Sequence, residues 1–214
     1  MTILITGANR GIGAALLAHY ATAGEAALGT ARKPEGALLP LDVTEPESHA
    51  ALARRLAGKP ISLLVCNAGV YPDKGQRLDR GYSAALWAAG FATNVTGVFL
   101  TVQSLLPNLR AGKGKIAIIS SSMGSQARAP GGSYIYRASK AAALNLGRNL
   151  ATDLAPEGIA VGIYHPGWVK TTMGGPEAEI TPEAAVAGLA ARFRVLSAEN
   201  TGCFEGWDGE AIPF

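Results

Sequence analysis

The chain has 214 residues, of which 48% are hydrophobic and 16% charged, and its formal net charge is +3. These totals suit one packed domain and exclude a disordered or collagen-like chain, and so small a charge, spread along the chain, gives no ground for a nucleic-acid partner. Two cysteines, Cys66 and Cys203, lack metal-ligand spacing and make no disulfide scaffold, so they read as buried thiols and no metal site is expected.

The opening MTILITGANRG runs straight into an apolar strand without a charged leader. No apolar run approaches the ~18 residues of a membrane span, so a soluble, cytoplasmic protein without a membrane partner is expected. Strands are predicted at 2–6, 26–31, 37–41, 61–66, 115–120 and 159–164, and helices near 11–23, 46–57, 83–111, 134–155 and 182–196. The strands are continuous apolar runs rather than alternating ones, the pattern of strands buried on both faces of a parallel sheet. The second helix has Thr44 placed to N-cap it, Pro46 in its first turn and Glu47 three residues after Thr44. The tail GCFEGWDGEAIPF offers a last short strand. No repeat, linker or low-complexity tract interrupts the alternation. The expected fold is a single doubly wound Rossmann-type α/β domain over the whole chain, a parallel sheet of about seven strands with helices on both faces. In such sheets ligands bind beyond the carboxyl ends of the strands.

The first strand leads into TGANRGIG, residues 6–13. Gly7 permits a sharp turn, while Gly11 and Gly13 leave room for a phosphate against the backbone and for the helix against the sheet. The helix start then offers free N–H groups and partial positive charge to an anion, so a nucleotide is the expected ligand, held by Gly7, Asn9, Arg10, Gly11, Ile12 and Gly13. At the end of the second strand an acidic residue would favour a free ribose 2′-hydroxyl. The chain has Thr30 and Ala31 there, followed by Arg32 and Lys33, with Arg10 nearby in the expected fold. A guanidinium pairs bidentately with a phosphate, so NADP(H) is expected in preference to NAD(H).

SYIYRASK, residues 133–140, places Tyr136 four residues before Lys140, on one helix face. A nearby ammonium favours the phenolate and is expected to lower the Tyr136 pKa from the ~10 of a free phenol. A tyrosine so tuned serves as general acid and base at a carbonyl oxygen. Tyr134 has no such partner and reads as a packing or pocket residue. His165, which ends a strand before Pro-Gly, is expected to shape its loop. Trp168 and Met173 fit either a substrate entrance or loop packing.

The turn spacing G-x-x-x-G-x-G, combined with Tyr136-x-x-x-Lys140, resembles the short-chain dehydrogenase/reductase family. DVT at 42–44, NAG at 67–69, NVTGVF at 94–99, ISS at 119–121, YRASK at 136–140 and HPGWVKT at 165–171 follow in the family's order. The wording is most similar to its carbonyl-reductase-like, C-factor-type branch. The resemblance implies that Asp42 and Val43 contact the adenine and that Asn67, Ala68 and Gly69 border the cofactor. It implies that Pro166, Gly167, Val169 and Thr171 cover the nicotinamide amide, and that Lys140 bonds the nicotinamide ribose. Ser121 becomes the hydroxyl that orients the substrate, chosen over Ser120 and Ser122 because Gly124 stands three after it, with Ser122 the fallback. Asn94 becomes the holder of a water linked to Lys140. The function implied is reversible NADPH-dependent reduction of a ketone or aldehyde, in a homodimer built on the two longest helices. Two alternatives stay open: an NADP(H)-binding regulatory or signalling protein, and an NAD-dependent alcohol dehydrogenase or epimerase of the same fold. The segment after HPGWVKT is short, so the long substrate lid of many relatives is expected to be missing.

Overall fold

The computed structural model describes residues 2–214. The strands are β1 (Thr2–Ile5), β2 (Ala27–Ala31), β3 (Leu39–Pro40), β4 (Ile61–Cys66), β5 (Lys115–Ile119), β6 (Val161–His165) and β7 (Phe204–Gly206). The helices are α1 (Gly11–Thr22), α2 (Pro46–Arg55), α3 (Ala84–Phe91), α4 (Gly97–Gly112), α5 (Tyr134–Leu154) and α6 (Pro182–Val195). The seven strands form one sheet in the order β3-β2-β1-β4-β5-β6-β7, and every pairing is parallel. The chain reverses its direction of winding between β1 and β4, which opens a crevice beyond their carboxyl ends.

The apolar runs are explained by two cores, one on each face of the sheet. Leu52, Val102, Leu105, Leu109, Leu144 and Leu154 from α2, α4 and α5 pack on one face with Leu4, Leu64 and Ile118. Leu16 and Tyr20 of α1 and Val186, Leu189 and Phe193 of α6 pack on the other with Ile5, Val65 and Tyr164. Strands covered on both sides have no polar face to alternate.

Four expectations need correction. The helix predicted over 83–111 is α3 and α4 joined by a π-helical turn at Ala92–Thr96. Thr44 does not cap α2: the capping position is Glu45, with no side-chain bond, while Thr44 donates its hydroxyl to Asp42 Oδ1 at 2.8 Å. The chain tightens around Asp42 instead, whose amide donates to Ser48 Oγ at 2.9 Å. Cys66 is buried, but Cys203 is only half-buried. Finally, Ala84–Gly112 is one continuous 29-residue stretch long and apolar enough to cross a membrane by length and composition. Its inward side chains Val98, Val102, Leu105 and Leu109 belong to the core, and no charged residue lies between Gly81 and Arg110.

Candidate active site

The glycine turn and the NAG segment form one unit at the crevice. Gly7 has φ +66°, and a Cβ there would stand 2.9 Å from Ala68 Cα, so both conformation and space demand glycine. A Cβ at Gly13 would collide with Gly7 O and Asn67 Nδ2. Asn67 spends its side-chain amide on the turn, donating to Thr6 O at 2.9 Å and Gly7 O at 3.1 Å. Thr6 Oγ1 answers by accepting the amides of Asn67 and Ala68, both at 3.0 Å. Asn67 therefore shapes the cradle as well as bordering it.

Three cavities that share lining residues run along the crevice. Gly7, Asn9, Arg10, Arg32, Asp42, Val43, Ala68 and Gly69 line one of about 160 Å³. Gly11, Ile12, Asn67 and Thr171, with Arg10 and Gly69 again, line one of about 310 Å³. Ser121, Tyr136, Gly167, Val169 and Thr171 line the third, of about 440 Å³. Among the expected cofactor residues, Gly13, Lys140 and Pro166 lie outside these linings. Gly13 acts by packing, and the Lys140 ammonium lies under Gly69, 3.6 Å from where a Cβ would stand. Burial would raise the Asp42 carboxyl, but hydrogen bonds from Thr44 and the Arg32 guanidinium hold it below the usual range. An extended cradle with exposed Arg10 and Arg32 at one end fits a phosphate-bearing dinucleotide.

The three serines after β5 part company. Ser120 Oγ donates to Lys140 O at 3.2 Å, and Ser122 Oγ pairs with His165 Nε2 at 3.3 Å. Ser121 Oγ accepts the Met123 amide at 3.1 Å and interacts with the Tyr136 phenol. Gly124 lets this turn approach α5, since a Cβ there would stand 2.7 Å from Lys140 C. Tyr136 is 8% exposed and Lys140 5%.

The expected lowering of the Tyr136 pKa is not what the chain alone does. Burial pushes the phenol up to about 12, with the Ser121 hydroxyl acting downward and Tyr71 upward. Burial pushes the Lys140 ammonium down to about 8. The ammonium stands 5.6 Å from the Tyr136 ring centre and donates to Ile119 O at 2.9 Å. Desolvation sets the direction for both groups. His165, pushed down to about 4 by burial and by Arg128, is a neutral ring at neutral pH. It lines the third cavity with Trp168 and Met173, so those two border the cavity as well as belonging to the loop. The loop they occupy is short and self-bonded: Trp168 Nε1 donates to Gly174 O at 3.0 Å.

Asn94 sits in the π-helical turn, 1% exposed. Its Nδ2 donates to Val70 O and Ser139 Oγ, and its Oδ1 accepts the Val70 amide, all at 2.9 Å. One Oδ1 lone pair and the backbone are what remain for a water. The segment that Asn94 clamps holds residues the sequence did not single out. Tyr71 stacks on Tyr136 with ring centres 4.1 Å apart. Asp73 is buried against the start of α5. Lys74, the only carrier of formal charge in the third cavity's lining once His165 is neutral, donates to Met173 O at 3.0 Å. No local motif marks these residues; they sit in a polar loop.

The family described as short chain dehydrogenase matches residues 1–180. The chain is 37% identical to C-signal of Myxococcus xanthus over 166 residues, 77% of this chain and 99% of that one. It is 34% identical to 1-hydroxy-2-glutathionyl-2-methyl-3-butene dehydrogenase of Rhodococcus sp. (strain AD45), with 100% and 99% covered. Among solved structures, the NADPH-bound carbonyl reductase from chicken fatty liver superposes with a TM-score of 0.89 at 30% identity, covering 100% of this chain and 98% of that one. A family match over residues 1–180, a relative 34% identical over the whole chain and a solved structure that superposes over all of it settle the kinship: the chain belongs to the short-chain dehydrogenase/reductase family of oxidoreductases.

Proposed function

We propose that the protein reduces a ketone or aldehyde to an alcohol with NADPH, reversibly, with Tyr136 as general acid and base. The observation that carries this reading is the meeting of Ser121 and Tyr136 on one cavity wall, with the Lys140 ammonium directly behind. NADPH, when bound, supplies the hydride. The chain's residues do the rest. Arg32 and Arg10 face the 2′-phosphate, the glycine turn takes the pyrophosphate, and Asp42 and Val43 take the adenine. Gly167, Val169 and Thr171 border the nicotinamide, with Pro166 setting their loop, and Lys140 reaches the ribose. Ser121 donates to the substrate carbonyl oxygen, and Tyr136 delivers a proton to it. A phenol pushed up to about 12 stays protonated across the neutral range, which suits donation in the reductive direction. Asn94 holds, through its remaining lone pair or backbone, a water that links Lys140 to solvent.

A purely regulatory binder, the reading that the likeness to C-signal keeps open, needs no buried Tyr–Lys pair. The entrance, lined by Ile12, Met123, Trp168 and Met173, favours a small molecule with an apolar body. The deciding experiment is NADPH oxidation with a panel of aldehydes, ketones and quinones, repeated with NADH and with Tyr136→Phe. The variant loses one oxygen and keeps the ring, so folding and NADPH binding survive while turnover falls at least ~10²-fold. Near-wild-type turnover in the variant sinks the reading.

We also infer a cytoplasmic homodimer. Only 33% of the most apolar window of Ala84–Gly112 is buried in one chain, and Phe99 is 41% exposed on its outer face. Light scattering should give twice the 22.0 kDa of one chain, and a monomer at micromolar concentration refutes it.

A further inference from the structure

We propose that Asp73 is a positioning residue of the reaction, setting Tyr136 by capping α5 from a distant segment, with Tyr71 locking the same turn. The proposal rests on the reading of Tyr136 as the proton donor. A helix start leaves its first N–H groups without partners, and the residue just before the helix normally accepts those of the second and third positions. Before α5 that residue is Ser133, and it does not serve: its backbone is left-handed, φ +50°, and its side chain makes no cap bond. The Ser133 hydroxyl is instead paired with the Tyr71 hydroxyl. The second and third positions of α5 are Ile135 and Tyr136. Their amides donate to the Asp73 carboxylate, Ile135 N to Oδ2 at 2.8 Å and Tyr136 N to Oδ1 at 3.2 Å.

Three features separate this arrangement from an ordinary surface cap. Asp73 is 1% exposed, so its anion is held by helix amides rather than water, and these bonds are charge-assisted. One bonded amide belongs to the residue whose phenol faces the substrate cavity. The segment carrying Asp73 is itself fixed on both sides, Val70 by the Asn94 amide and Lys74 by Met173 O. The Tyr71 ring, stacked on Tyr136 at an interplanar angle of 16°, adds a lateral stop. Ser121 is held separately, at the end of β5, by the Met123 amide. The two hydroxyls that must converge on one carbonyl oxygen therefore come from different elements, and Asp73 sets the distance between them. A misplacement of ~1 Å costs up to ~10²-fold in rate.

The test uses Asp73→Ala and Asp73→Asn, each in the wild type and in Tyr136→Phe. Asp73→Ala should lower kcat for carbonyl reduction ~10- to 100-fold with the NADPH dissociation constant unchanged. Asp73→Asn, which keeps one acceptor oxygen, should fall between. In the Tyr136→Phe background neither substitution should lower the residual rate further, because Asp73 acts through the missing phenol. Amide hydrogen exchange should speed up at residues 135 and 136 while the middle of α5 stays protected. Losses that multiply across the two backgrounds overturn the proposal. So does unchanged kcat or unchanged exchange in a folded variant; if Asp73→Ala does not fold, Asp73→Asn is read by the same criteria. Full turnover in Tyr136→Phe alone marks the failure of the donor reading itself.

Discussion

The two walls of the crevice are built by opposite means. On the β1 side, residues 6–13 present backbone: glycines that clear space, with the Asn67 side chain spent on holding the turn's own carbonyls. On the α5 side the cavity wall is made of side chains, Tyr136 and Ser121 among them, and Tyr136 is steadied by Tyr71 and Asp73. The backbone wall tolerates no added atom; the side-chain wall tolerates no lost one. Such a division teaches where a substitution of each kind should hurt.

The largest effect is expected from adding one carbon to the backbone wall. Gly7→Ala forces a left-handed alanine, costing ~1–2 kcal/mol, and presses its Cβ to 2.9 Å from Ala68 Cα, which adds ~1–3 kcal/mol of overpacking. Urea unfolding should show both costs, and NADPH binding should vanish; a folded variant of unchanged stability breaks the comparison. Next comes Arg32→Asp, a place on that side where a charged side chain is expected to matter. The NADPH dissociation constant should rise ~10- to 100-fold, the worth of a charge-assisted phosphate pair, and that for NADH should hardly move. Equal weakening of both, or a wild type that prefers NADH, removes the argument for NADP(H).

The smallest effect, per pH unit, sharpens the other wall. Burial holds Lys140 at about 8 against an ordinary 10.5, so the folded chain pays for a buried ammonium. That cost is complete below about pH 8, shrinks as pH rises, and is gone above the ordinary value, where the amine is neutral folded or unfolded. Lys140→Met should therefore be more stable than the wild type at pH 7. Its advantage should shrink by at most ~1.4 kcal/mol per pH unit between about pH 8 and 10. Taking the difference between the two proteins cancels the opposite drift from the Cys66 thiol, pushed up to about 12 by burial. An advantage that is flat with pH, or that grows, shows that the lysine is not desolvated as described.

What was legible in the sequence follows the same division. Strand positions, the glycine turn and the Tyr136–Lys140 spacing all depend on neighbours within a few residues, and the fold follows them closely, down to the short β7. The choice of Ser121 rests on the family motif and on Gly124 three residues after it, and in the fold it is Ser121, not Ser120 or Ser122, that interacts with Tyr136. The direction of the Tyr136 shift was misread, because a charge four residues away is visible in a string while the burial of both groups is not. Asp73 lay in YPDKGQRLDRG, a polar run with no periodicity. Its partners stand 62 and 63 residues ahead, and nothing local in α5 announces that its start needs an outside cap. Asn94 gave a similar lesson: the motif was readable, the π-helical turn that aims its amide at Val70 was not.

The distance between Asp73 and α5 also divides the bonds of that helix into two kinds. Most of the bonds of α5 close within the helix and can form as soon as the helix does. The bonds at residues 135 and 136 wait on a loop whose own position depends on β4 reaching the sheet and on Asn94 reaching Val70. The start of α5, where Tyr136 stands, is thus the part of the helix whose geometry depends on contacts of long sequence separation.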